Sequence, residues 1–157
     1  MTMPADAAEA RAQGWRTLAA LHARIEDRLG RALEAAHDIS VSEYTVLDVL
    51  SRQDEHHMRM QQLSTAVVLS QSATTRLVTR LEERGLLARY LCADDRRGIY
   101  SQVTDAGAAL LAAARPTHDE AVRSALAEAE QVPELEPLVR ALETLPAPPA
   151  TALSGGG

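Results

Sequence analysis

Apolar positions recur at three- and four-residue steps through Trp15, Leu18, Leu21 (with His22 beside it), Ile25, Leu29, Leu33 and Ala36. This spacing predicts a first helix over roughly residues 10–36, preceded by a flexible N-terminus over residues 1–9. A stripe this long needs a partner surface, and in a chain of 157 residues a second subunit supplies one. Ser40-Val41-Ser42-Glu43 has capping-box spacing and opens a helix that buries Tyr44, Leu47 and Leu50. The polar run Ser51 to His57 ends it, and a short helix from about Met60 to Val67 follows.

Ser70 is the next N-cap, and Thr74, Leu77, Val78 and Leu81 fall at i, i+3, i+4 and i+7, one buried stripe closed by Gly85. Leu87 to Leu91 and Ile99 to Val103 read as two short strands around a polar loop, Cys92 to Arg97. Thr104 caps a long Ala-rich helix to about Ala129, Val132-Pro133 breaks it, and Glu134 to Leu145 forms a last helix. Residues 146–157, rich in Pro, Ala and Gly, bury nothing and are expected to be disordered. The pattern predicts a mainly α fold: a winged helix-turn-helix over 40–104 with a small β-hairpin wing. Helices at 10–36 and 105–145 flank it in a single domain, 10–145.

If the 74–81 stripe is buried, the other face of that helix carries Ser70, Gln71, Ser72, Thr75, Arg76, Thr79 and Arg80. Such a face suits major-groove reading: Gln71 for adenine edges, Arg76 for guanine edges or phosphate, Ser72 and Thr75 for phosphate or a thymine methyl. The hairpin tip places Asp95, Arg96 and Arg97 beside Asp94. Arginine suits a narrow, electronegative minor groove, and a neighbouring aspartate can hold its guanidinium in one direction. An amphipathic helix with a solvated face, or a hairpin tip that serves only solubility, is the plain alternative for either element alone.

Charge changes the picture only when it is divided. The whole chain carries −6, yet residues 70–97 hold six Arg against four acids, while 115–145 hold three Arg against seven acids. The local field at a contact face outweighs the whole-chain value. No run of eighteen apolar residues and no signal-peptide pattern is present, which predicts a soluble, cytoplasmic protein with no membrane partner. One cysteine, Cys92, excludes an internal disulfide or a CxxC clip. No GxGxxG, P-loop, HExxH or nucleophile–base pair marks an enzyme, and no cofactor is expected.

The chain resembles the MarR family of transcriptional regulators. Asp95-Arg96-Arg97-Gly98-Ile99-Tyr100-Ser101-Gln102-Val103-Thr104-Asp105-Ala106-Gly107 is similar to that family's wing signature, with Val103 where leucine is usual. Leu63 to Leu87 is similar to its helix-turn-helix, with Thr74 in place of a usual valine and Met60 in place of a capping Thr or Ser. The resemblance implies a homodimer whose first and last helices form the base and whose winged lobes grip double-stranded DNA. It also implies a pseudo-palindromic operator, and repression relieved by a small-molecule effector, with Trp15, His22 and Tyr44 as candidate pocket residues. Relatives that sense peroxide or zinc direct attention to Cys92 and to His37, His56, His57 and His118. The cysteine is far from the N-terminus, where those relatives carry theirs, and the histidines lack H-x3-H spacing and read as solvated loop residues. A winged-helix module that binds protein instead of DNA is the remaining alternative, and it would be expected to lack Arg76, Arg80, Arg96 and Arg97.

Overall fold

The computed structural model describes residues 4–92 and 95–146, with side chains described for 6–91 and 98–146. Its elements run α1 (Pro4–His37), α2 (Val41–Ser51), a 3-10 turn (Asp54–His56), β1 (His57–Arg59), α3 (Met60–Ala66) and α4 (Gln71–Glu83). They continue as β2 (Leu87–Cys92), β3 (Asp95–Val103), α5 (Asp105–Glu130) and α6 (Glu136–Glu143). The chain divides into two compact units: one comprises the stretches up to Ala32 and from His118 onward, the other Leu33–Thr117.

In the first unit, Leu21 packs with Ala129, Leu135 and Val139, and Ile25, Leu126, Val132 and Leu138 close around them. Small alanines at 121, 125 and 129, all buried, give α5 a smooth inner face. Arg28 pairs with Glu128 across this unit. Trp15, Leu18, Leu142 and Leu145 remain exposed, Trp15 at 68%.

The second unit is built on Leu33, Ile39, Tyr44, Leu47, Leu50, Leu63, Leu77, Val78, Leu81 and Leu87, all buried in one core with Leu111 and Ala114 of α5. Each helix junction is closed by local chemistry. Ser40 and Glu43 complete the capping box that opens α2. Asp38, at φ 54, ends α1 by donating its N–H to Glu34 O. The α3–α4 turn is a Schellman motif in which Val68 N–H donates to Thr65 O (3.3 Å) and Leu69 N–H to Ser64 O (3.1 Å). Val68 therefore takes the left-handed position, at φ 57, with its side chain 86% exposed. The same motif ends α4, with Gly85 at φ 73 and Leu86 N–H on Leu81 O.

The three strands form an antiparallel sheet in the order β1-β3-β2. Several boundaries differ from expectation. Helix α1 begins at Pro4, inside the stretch expected to be flexible: Pro suits the first helical turn, and alanines carry the helix without any apolar stripe to announce it. His57 is not a solvated loop residue but opens β1, paired with Gln102. The hairpin strands reach further than expected, Cys92 pairing with Asp95 after a register shift beyond Leu91, so most of the polar stretch 92–97 is strand rather than loop. Helix α6 is shorter than the expected 134–145 because Glu134 lies in the turn after the Val132-Pro133 break. Of the stretch 146–157 expected to be disordered, residues 147–157 lie outside the described residues.

Candidate nucleic-acid interface

Helix α4 is positioned from both ends. At its start, Ser70 Oγ accepts from Ala73 N–H (3.1 Å) and lies 3.2 Å from Ser72 Oγ. At its end, the Arg84 guanidinium donates to Asp38 O (2.8 Å) and to Glu43 Oε2 (3.2 Å), joining α4's exit to the α1–α2 junction. The buried stripe is Thr74, Leu77, Val78 and Leu81. Thr74 is tolerated in the core because its hydroxyl donates to Ser70 O (2.9 Å), leaving no unmet donor.

The opposite face carries the residues singled out in the sequence. Ser70, Gln71, Ser72, Thr75, Arg76 and Arg80 are exposed and Thr79 is half-buried. The exposed Thr75 hydroxyl donates to Gln71 O (2.8 Å). Arg76 and Arg80 have no acidic partner among the described residues. Elsewhere in this unit Arg52 and Arg115 pair with Asp48, Arg84 with Glu43 and Arg89 with Glu82, and Arg59 donates to the Tyr100 hydroxyl. Two like charges at i, i+4 on one helix cost about 0.2–0.5 kcal/mol. The surface of α4 thus holds two unneutralised cations at a stability cost. An open groove of about 660 Å3 runs along this flank, lined among others by Ser40, Ser42, Leu69, Ala73, Arg76 and Arg80.

The wing arises from β2 and β3. The backbone of Asp95, Arg96 and Arg97 belongs to β3, while their side chains, with Asp94 and the side chain of Cys92, lie outside the described residues. Its root is locked by the Thr104 hydroxyl, which donates to Gly85 O (2.6 Å) and accepts from Gly107 N–H (3.1 Å). Gly107 passes so close to the chain that an added Cβ would lie 2.2 Å from Leu86 O. On the outer sheet face His57 hydrogen-bonds the Tyr90 hydroxyl, and the two tyrosine rings stack with centroids 5.8 Å apart. Sequence reading missed this cluster, since its members come together only through strand pairing.

Of the candidate effector residues, Tyr44 is 5% exposed in the core of the second unit. Trp15 and His22 are exposed residues of the first, His22 lying 3.6 Å from Glu26. His37 hydrogen-bonds Thr117, and His118 lies 3.3 Å from Asp119. Among the described residues, no group of three or more His, Cys, Asp or Glu side chains could hold a metal ion. No described helix is long and apolar enough to cross a membrane.

A short helix, a tight turn, a second helix with a capped N-terminus and a three-stranded sheet ending in a hairpin define a winged helix-turn-helix. Comparison with known proteins agrees with this class. The MarR family model matches residues 37–98. The regulator MhqR of Bacillus subtilis is 29% identical over 94 residues, 60% of this chain and 63% of that protein. The matched stretch therefore spans less than two thirds of that relative's length. Sco3205, a MarR family transcriptional regulator from Streptomyces coelicolor solved in complex with DNA, is 29% identical, with 82% of each chain covered and a TM-score of 0.68. The transcriptional regulator BldR from Sulfolobus solfataricus is 25% identical, with 92% of this chain and 100% of that one covered and a TM-score of 0.71. The chain is thus similar to MarR family regulators, by the family model over residues 37–98 and in fold over most of its length.

Proposed function

We propose that this protein is a sequence-specific, double-stranded DNA-binding transcriptional regulator. It acts as a homodimer on a pseudo-palindromic operator, as a repressor released by a small-molecule effector. The observation that carries the DNA reading is the pair Arg76 and Arg80, the cations of α4's outer face that have no acidic partner among the described residues. In this reading Gln71 and Arg76 meet base edges near the start of the recognition helix, Arg80 and Ser72 meet phosphate, and Arg96 and Arg97 of the wing enter the minor groove, directed by Asp95. The complex of Sco3205 with DNA supports it by likeness. Dimerisation is supported by Trp15, Leu18, Leu142 and Leu145, large apolar side chains of one unit left open to solvent. Two recognition helices on one duplex face half-sites about 34–36 Å apart.

Selection of bound sequences from a random duplex pool tests the reading. A recovered palindromic consensus with a two-chain mass in ultracentrifugation supports it; no enrichment, or single chains only, refutes it. Replacing Arg76 by Ala then separates two roles. Relaxed preference at one base position marks base contact, and a salt-dependence slope smaller by about one per protomer marks phosphate contact. Unchanged affinity and slope would remove Arg76 from the interface.

A further inference from the structure

The wing is a projecting hairpin, and one side chain of α4 holds its root. Glu82 accepts three hydrogen bonds from a single wing residue: from the backbone N–H of Arg89 (3.1 Å), from its Nε (3.1 Å) and from its Nη2 (3.3 Å). Arg89 sits in β2 opposite Ser101 of β3, which is fully buried and donates its hydroxyl to Met60 Sδ. Strand alternation puts Arg89 on the face of β2 shared with Leu87, which is buried in the same core as Leu77, Val78 and Leu81 of α4. The carboxylate therefore grips both main chain and side chain of the strand where it leaves the body.

Charge alone gives no reason for an acid at this place. Glu82 stands in the segment 70–97, whose surplus is positive, and a carboxylate beside a phosphate-binding face opposes binding. Its geometry supplies a reason. A helix in one groove and a hairpin tip in the next engage a duplex together only at a fixed relative angle. When a fraction f of molecules holds that angle, the apparent dissociation constant rises as 1/f.

We propose that Glu82 is a positioning residue for DNA binding, which clasps Arg89 and so holds the wing at the angle from which it and α4 reach one duplex together. The inference rests on the DNA reading given above. The sign of the effect distinguishes it from electrostatics. By field alone, Glu82→Ala tightens DNA binding; by loss of the clasp, it weakens it.

The experiment measures affinity for the duplex selected by the wild-type protein, with Glu82→Ala, Arg89→Ala, the double variant and Glu82→Gln, which keeps an acceptor for the Arg89 amide. If the competent fraction per protomer falls to about one third, two protomers together lose roughly tenfold. The expected results are a loss of that order in Glu82→Ala, a smaller one in Glu82→Gln, and a double variant no weaker than Arg89→Ala alone. Hydrogen exchange over residues 87–91 and 99–103 should accelerate in Glu82→Ala while the unfolding midpoint stays near wild type. Equal or tighter binding by Glu82→Ala overturns the proposal, and so does weaker binding with unchanged exchange in the wing strands. Should Glu82→Ala fail to fold, Glu82→Gln decides by the same two readouts. A wild-type protein that selects no duplex refutes the DNA reading itself, an outcome distinct from wild-type binding that Glu82→Ala leaves intact.

Discussion

Replacing Val68 by Gly should make the protein more stable, although it deletes the whole isopropyl side chain. Val68 holds φ 57 at the left-handed position of the α3–α4 turn. An L-residue there costs about 1–2 kcal/mol, and a β-branched one stands at the unfavourable end. Its side chain is 86% exposed, so truncation forfeits little burial, on the order of 0.2 kcal/mol. Glycine relieves the strain but enlarges the entropy of the unfolded chain by about 0.4–1 kcal/mol. The difference leaves a net gain of about 0.5–1 kcal/mol. Urea unfolding at fixed protein concentration reads it as a midpoint raised by roughly 0.3–0.5 M with unchanged slope. Val68→Ala keeps Cβ and should recover less than half of the shift. A lower midpoint for Val68→Gly would mean that the Val68 side chain makes stabilising contacts or that the turn is not left-handed.

Other outcomes follow from the same geometry. Gly107→Ala should destabilise by about 2 kcal/mol, since the steric cost of forcing Cβ against the Leu86 carbonyl exceeds alanine's helical advantage; thermal unfolding checks it, and a neutral result refutes the close approach. Arg84→Ala should cost about 1–2 kcal/mol by leaving Asp38 O and the half-buried Glu43 carboxylate without their partner, measurable in the same denaturation series. The hydrogen bond from Arg89 holds the Glu82 carboxyl below the ordinary glutamate range. Because the folded value is depressed, its contribution is complete above about pH 5 and is lost as pH falls through the lowered value. Partial exposure keeps that contribution to about 0.5 kcal/mol. The stability gap between wild type and Glu82→Gln should therefore close on acidification, and a gap constant from pH 7 to 3 would contradict the ion pair.

Much of the second unit was legible because its signals are local. The Ser40–Glu43 box, the Ser70 cap and the stripe Thr74, Leu77, Val78, Leu81 are all decided by neighbours within one or two helical turns, and the structure keeps each of them. What escaped was set at longer range. Strand β1 is three residues long, too short for alternation to register, and it exists through pairing with β3 over forty residues later. The clasp between Glu82 and Arg89 crosses a helix end and a turn, beyond the reach of any local pattern. The start of α1 was missed for a different reason: alanines make a helix without making a pattern.

The wing signature that marks this chain in sequence ends at Gly107, and that glycine lies where two stretches of main chain nearly touch. What its absent side chain protects is the thickness of a joint, and a hairpin mounted on that joint can change its tip without changing its mount.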